Sequence, residues 1–182
     1  MNGQFPLTGT TEEKIITCLK AAGWYKGRKI RPEIMEKVRA FYAMGGITLP
    51  AGAEKFLREF YGIAEGWYFN IPVKEQHGRG ADVEFRLFPD SGNSKDYYNE
   101  ELAYEYEPDL KTMSDFAGEP LVWIGDIGYY YPESIYMGST RKIFSMRDDG
   151  TLHTYTSLTE LFRWDFDHHP DWSFVTMRET YC

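Results

Sequence analysis

Residues 21–28, A-A-G-W-Y-K-G-R, end one helix and turn the chain toward the next. Ile15, Ile16, Leu19 and Ala22 precede Gly23 on one helical face. Glycine ends a helix in the left-handed conformation without a Cβ penalty, so the spacing predicts a stop at Gly23. Trp24 is placed to fold back onto that apolar face. Arg28 follows a second glycine and precedes Pro32, a residue suited to opening a helix. It is expected to hold the intervening loop, through a carboxylate.

Working outward, Thr10-Thr11-Glu12-Glu13 reads as a capping box, and the first helix is expected over residues 11–22. A second runs from Pro32 to Met44, with Ile34, Val38, Phe41 and Tyr42 inward and Gly45-Gly46 ending it. A third begins near Pro50, carries Ala53, Phe56, Leu57, Phe60 and Tyr61 on one face, and stops at Gly62. The front third is therefore expected to be all helical.

After Gly62 the period changes. Residues 67–73 are aromatic and branched, and Val83, Phe85 and Leu87 alternate with Glu84, Arg86 and Phe88, so both segments read as strands. Residues 97–107 read as a helix broken by Pro108, with 110–116 adding a turn or two. Residues 121–124, 135–137 and 143–146 are short strand candidates. Asp148-Asp149-Gly150 makes a three-residue turn with Gly150 left-handed, which sets Met146 opposite Leu152. Ser157-Leu158-Thr159-Glu160 is a second capping box, opening a helix that buries Leu158, Leu161, Phe162 and Phe166. Residues 172–177 make a final strand. With no repeat and no linker, the reading is one α+β domain over residues 1–182, its N-terminal helices packed on a mixed, largely antiparallel sheet.

Composition narrows function. Two cysteines, Cys18 and Cys182, suggest no disulfide framework. Residues 1–10 lack a basic region followed by an apolar run, and no stretch approaches the ~18 apolar residues that span a bilayer. A cytoplasmic, non-membrane protein is expected. Charge is uneven: residues 1–62 hold ten Lys/Arg against six Asp/Glu, while residues 90–119 hold two against nine. That thirty-residue stretch carries −7 of a net −8, which repels nucleic acid and attracts basic proteins.

Catalytic signatures are weak. Asp165, Asp167, His168 and His169 could ligate zinc or manganese, the basis of a metal-dependent hydrolase alternative. Their crowding at a helix end fits dipole complementation better, so no metal and no cofactor are expected. His77-Gly78-Arg79-Gly80 lacks the spacing of a phosphate loop, no G-x-S-x-G elbow occurs, and Cys18 on a helix near an apolar face is a poor nucleophile. The acidic stretch is different. Asp96, Glu100, Glu101, Glu105, Glu107 and Asp109 are interleaved with Tyr97, Tyr98, Tyr104 and Tyr106. This is either a solvated helix or a binding face, with tyrosines for contact area and carboxylates for steering.

Four segments together resemble the third subgroup of the SUKH superfamily of bacterial immunity proteins. Residues 21–28 are similar to its helix-ending Gly-Trp followed by Gly-Arg. Residues 56–62, F-L-R-E-F-Y-G, resemble its Phe-Leu then Phe-Gly-Gly signature, with Tyr61 at the first glycine. Residues 120–125, P-L-V-W-I-G, resemble its Leu-aromatic-Pro-Ile-Gly strand, with Trp123 replacing the proline, and residues 146–153, M-R-D-D-G-T-L-H, its acidic-Gly hairpin. Order and spacing agree over about residues 12–166, leaving 167–182 as a C-terminal tail. The resemblance implies a SUKH-like α+β domain without catalytic residues that binds and neutralises a cognate toxin domain, often a nuclease or deaminase. Gly23, Trp24, Arg28, Gly62, Gly125 and Gly150 would be scaffold. A monomer is expected, and a non-toxin interaction or regulatory scaffold of the same fold is the competing reading.

Overall fold

Thr10 starts the first helix as expected. Its hydroxyl accepts the Glu13 N–H at 3.3 Å, and the Glu13 carboxylate accepts the Thr10 N–H at 2.8 Å. This backbone hydrogen bond, with help from the hydroxyl, holds the Glu13 carboxyl below its ordinary pKa. Helix α1 spans Thr11–Ala21. It ends in a Schellman motif: Gly23 has φ 96°, its N–H reaches the Lys20 carbonyl, and the Trp24 N–H reaches that of Leu19. Helix α2, Pro32–Met44, opens on proline and closes the same way at Gly45-Gly46. Helix α3 is Ala51–Phe60.

The structure, a computed structural model, describes residues 4–63, 68–72, 80–87, 107–129, 133–147, 149–167 and 174–178. Its remaining elements are strands β1 (Gln4–Pro6), β2 (Tyr68–Pro72), β3 (Gly80–Leu87), β4 (Val122–Tyr129), β5 (Glu133–Met137), β6 (Ile143–Met146), β7 (Leu152–Tyr155) and β8 (Phe174–Arg178), with helices α4 (Glu107–Ala117) and α5 (Leu158–Asp167). The eight strands form one sheet in the order β1-β8-β2-β3-β4-β5-β6-β7. Strands β2 to β7 are a meander, and β8 returns to the free edge of β2 with β1 outside it. Every ladder is antiparallel, so the parallel pair of a mixed sheet does not occur among the described strands. The fold is α+β.

Helices cover both faces of this sheet. Along β5 and β6, Ile135, Met137 and Ile143 face α1, α2, α3 and α5, and are buried with Leu19, Val38, Leu57 and Phe162. Tyr136 and Phe144 point the opposite way and are buried with Met113 of α4 and Leu121. Alternation is the strand period, and helices on both sides make these strands apolar on both faces.

Strand β4 is longer than the 121–124 segment expected, because it continues through Gly125. The ladder to β5 slips between Trp123 and Gly125, where φ is 154°. The bulge lets the strand run on. Near it, the fully buried Tyr42 of α2 donates its hydroxyl to the Trp123 carbonyl at 2.9 Å.

Two other expectations need comment. Pro108 is the second residue of α4, where proline's missing N–H costs nothing, and of the helix expected over residues 97–107 only Glu107 falls within the described residues. At α5 the Ser157 hydroxyl accepts the Glu160 N–H at 3.2 Å, but Glu160 reaches back to the Thr156 N–H at 2.7 Å, not to Ser157. The 146–153 hairpin forms as expected, with Met146 opposite Leu152 and Gly150 at φ 79°.

The start of α3 lies hard against the β5–β6 loop. The Ala53 N–H donates to the Gly138 carbonyl at 3.1 Å. A Cβ on Gly52 would fall 1.9 Å from the Thr140 carbonyl oxygen and 2.5 Å from that of Gly138. Gly52→Ala is therefore expected to push α3 off the loop and cost about 2–3 kcal/mol, read as a lower urea midpoint at unchanged m-value.

Candidate functional site

The acidic, tyrosine-rich stretch leads directly into α4. Asp96, Tyr97, Tyr98, Glu100, Glu101, Tyr104 and Glu105 lie outside the described residues. Glu107 begins α4 and Asp109 is half-buried in its first turn, so only the end of the predicted surface is placed. The helix buries Met113 and packs Leu110 and Ala117 against Leu121, Tyr136 and Phe144. Asp109, Thr112 and Phe116, at i, i+3 and i+7, run along one flank of that buried face, while Lys111 and Asp115 point to solvent. Phe116 is 48% exposed although its ring meets Phe144 edge-on at 6.3 Å. Lys111 and Asp115 pair at 2.5 Å, but both are well exposed, so the pair adds little stability. A shallow groove of about 570 Å³ runs between this helix and the 118–121 turn. Glu119 on its rim accepts the Ser139 N–H at 2.7 Å and the Thr140 hydroxyl at 2.8 Å, tying α4's exit to the β5–β6 loop.

The structure gathers most of the opening motif on the other side of the sheet. Arg28 donates to the carbonyls of Glu59 at 2.6 Å and Tyr61 at 2.9 Å, in the last turn of α3 and just past it. Its partners are therefore main-chain oxygens rather than the expected carboxylate. A cation suits the negative end of a helix, and the planar fork reaches two carbonyls at once. Burial lowers the Arg28 pKa, while the charges of Tyr25 and Glu59 act the other way. Trp24 stacks on Phe60 at 6.3 Å and donates its indole N–H to Glu59 at 3.3 Å, so it packs on α3 as well as its own helix. Arg141 pairs with the same Glu59 at 2.8 Å. Gly62, at φ 78°, turns the chain out of α3. Gly125 and Gly150 serve the β4 bulge and the β6–β7 hairpin. These contacts are structural.

Sequence reading missed a buried polar cluster on β5, β6 and β7. Glu133 is 7% exposed and Ser145 is fully buried. Ser145 donates its hydroxyl to Glu133 at 2.5 Å, and Arg147 pairs with the same carboxylate at 2.6 Å. His153 stands opposite Ser145 in the ladder, its ring stacked on Tyr155 at 6.0 Å. Burial works against the Arg147 charge, yet the Glu133 hydrogen bond and charge outweigh it and raise the pKa. Burial first, then the Glu133 charge, raises that of Tyr155. Glu133 could take a proton from Ser145, but Ser145 is fully buried, out of a substrate's reach. No local motif marks this cluster, because its members share a face only once three strands are in register.

Cys18 is buried, and desolvation pushes its thiol up to about 12, as expected for a poor nucleophile. Asp165 and Asp167 lie on α5, while His168 and His169 fall outside the described residues. Among the described residues no group of three or more His, Cys, Asp or Glu could hold a metal ion. No helix among them is long and apolar enough to cross a membrane. No family model, curated protein or solved structure matches the chain.

Arg147→Met is expected to strand the Glu133 carboxylate and cost about 2–3 kcal/mol in urea unfolding. The double variant Glu133→Gln/Arg147→Met should cost less than the two single changes added together. In a Cys182→Ser background, Cys18 should react with iodoacetamide at least about a hundredfold more slowly in native protein than in denaturant. An unfolded thiol ionises near ~8.5, so Cys18 should cost no stability below that pH. Its contribution should fall as pH rises from there toward about 12.

Proposed function

We propose that this chain is a non-catalytic immunity protein that binds a cognate toxin domain in the cytoplasm and blocks it stoichiometrically. The observation that carries the reading is the concentration of −7 in residues 90–119, interleaved with tyrosines and running into α4. A toxin that handles nucleic acid needs a basic active site, and an acidic surface competes for it. The four segments resembling the SUKH third subgroup point the same way. The α+β fold that this resemblance implies is the fold observed. In this reading the Arg28–Trp24 cluster is scaffold and the partner meets the acidic side.

Co-expression tests the class. Bacteria expressing a candidate toxin domain should survive only when this chain is present, and the two should co-purify at a fixed ratio. Glu100→Lys/Glu101→Lys/Glu105→Lys should slow association about 10–100-fold at low salt and weaken rescue while leaving the unfolding midpoint intact. A triple variant with unchanged association would remove that stretch as the contact surface. Capture of a cellular partner without protection from any toxin would favour a regulatory scaffold instead.

A further inference from the structure

Three large apolar side chains stand out among the described residues: Tyr25 at 59%, Met44 at 69% and Phe116 at 48% exposed. Their electrostatic settings differ. Tyr25 lies in the loop between α1 and α2 beside exposed Lys26 and Lys29, and no acidic residue occurs between Glu13 and Glu33. Met44 ends α2, on the same side of the sheet. Phe116 alone lies on the helix that continues the acidic stretch, one turn from Thr112 and two from Asp109 along one flank and next to Asp115 in the chain. Helix α4 covers the sheet face opposite the one that carries α1, α2 and α3.

Resting on the immunity reading, we infer that the toxin docks on the flank of α4 that carries Phe116, through a basic segment that places an apolar side chain against that ring. The edge-on contact with Phe144 already fixes the Phe116 ring, so little side-chain entropy is lost when a partner covers it. Interface cores favour aromatic side chains ringed by polar groups, and here the polar neighbours on the helix are Thr112, Asp109 and an Asp115 paired with Lys111. Asp109 and Asp115, together with the acidic stretch that runs into the helix, draw a basic segment in. The basic loop around Tyr25 repels the same partner from the other side of the sheet. Charge therefore selects which face is met as well as how fast.

The test uses the full chain and the toxin domain identified by co-expression rescue, with binding kinetics at low and physiological salt. Phe116→Ala is expected to weaken binding about 10–100-fold, mainly through faster dissociation. Asp109→Lys/Asp115→Lys, which leaves the Phe144 contact in place, should slow association about tenfold at low salt, and Tyr25→Ala should bind like wild type. Folding is checked by circular dichroism. If the wild-type chain binds while Phe116→Ala and Asp109→Lys/Asp115→Lys both bind equally well, the α4 site is wrong and the immunity reading stands. If the wild-type chain binds no toxin domain, the immunity reading fails and the α4 site falls with it.

Discussion

Burial of the central strands on both faces is the constraint on which the remaining structure depends. β5 and β6 alternate Ile135, Met137 and Ile143 toward the large helical layer with Tyr136 and Phe144 toward α4. A one-residue slip would exchange the two sets and put side chains of the wrong size into both cores, so register is tightly specified. The slip at Trp123–Gly125 is confined to the β4 bulge and accompanied by the Tyr42 hydroxyl bond, which joins α2 to β4. Gly52 completes the arrangement from the other direction, since only a residue without a Cβ lets α3 reach the Thr140 and Gly138 carbonyls.

Against this sheet the helical layer is held by a few polar contacts at its edges. Arg28 closes the end of α3, and Glu59 receives both the Trp24 indole and the Arg141 guanidinium. On the outside, Glu54 takes Arg39 at 2.6 Å and Arg58 at 2.6 Å, and hydrogen bonding from Arg39 foremost holds its carboxyl below the ordinary range. These pairs orient α1, α2 and α3 relative to one another more than they stabilise them, because most are partly exposed. Helix α4, which carries the last charges of the acidic stretch, lies on the opposite sheet face, away from this clamp.

Local grammar made much of the fold legible. Thr10 with Glu13, the glycine stops at Gly23 and Gly46, Pro32 at a helix start and the Asp-Asp-Gly hairpin each act through hydrogen bonds or φ angles within five residues. Such signals survive in the sequence because their cause is local. Pro108 shows the limit of the same grammar. A proline marks a boundary, but whether a helix ends or begins there depends on what the following residues can bury, and Met113 is buried only because Leu121, Tyr136 and Phe144 are there to cover it. The three-residue β1 was invisible for a related reason: Gln4–Pro6 forms a strand by pairing with β8, some 170 residues away in the chain.

The site divides in the same way. Sequence alone determined the chain's charge asymmetry, the place of its tyrosines and the helix-ending motif, since composition and short-range spacing need no partner. Only tertiary structure decided that Arg28 binds carbonyls rather than a carboxylate, that Glu133, Ser145 and Arg147 form one buried cluster, and that Phe116 stays half-exposed against Phe144. Each of these depends on a register or a helix rotation set by packing between segments far apart in the chain, and no local pattern encodes that choice.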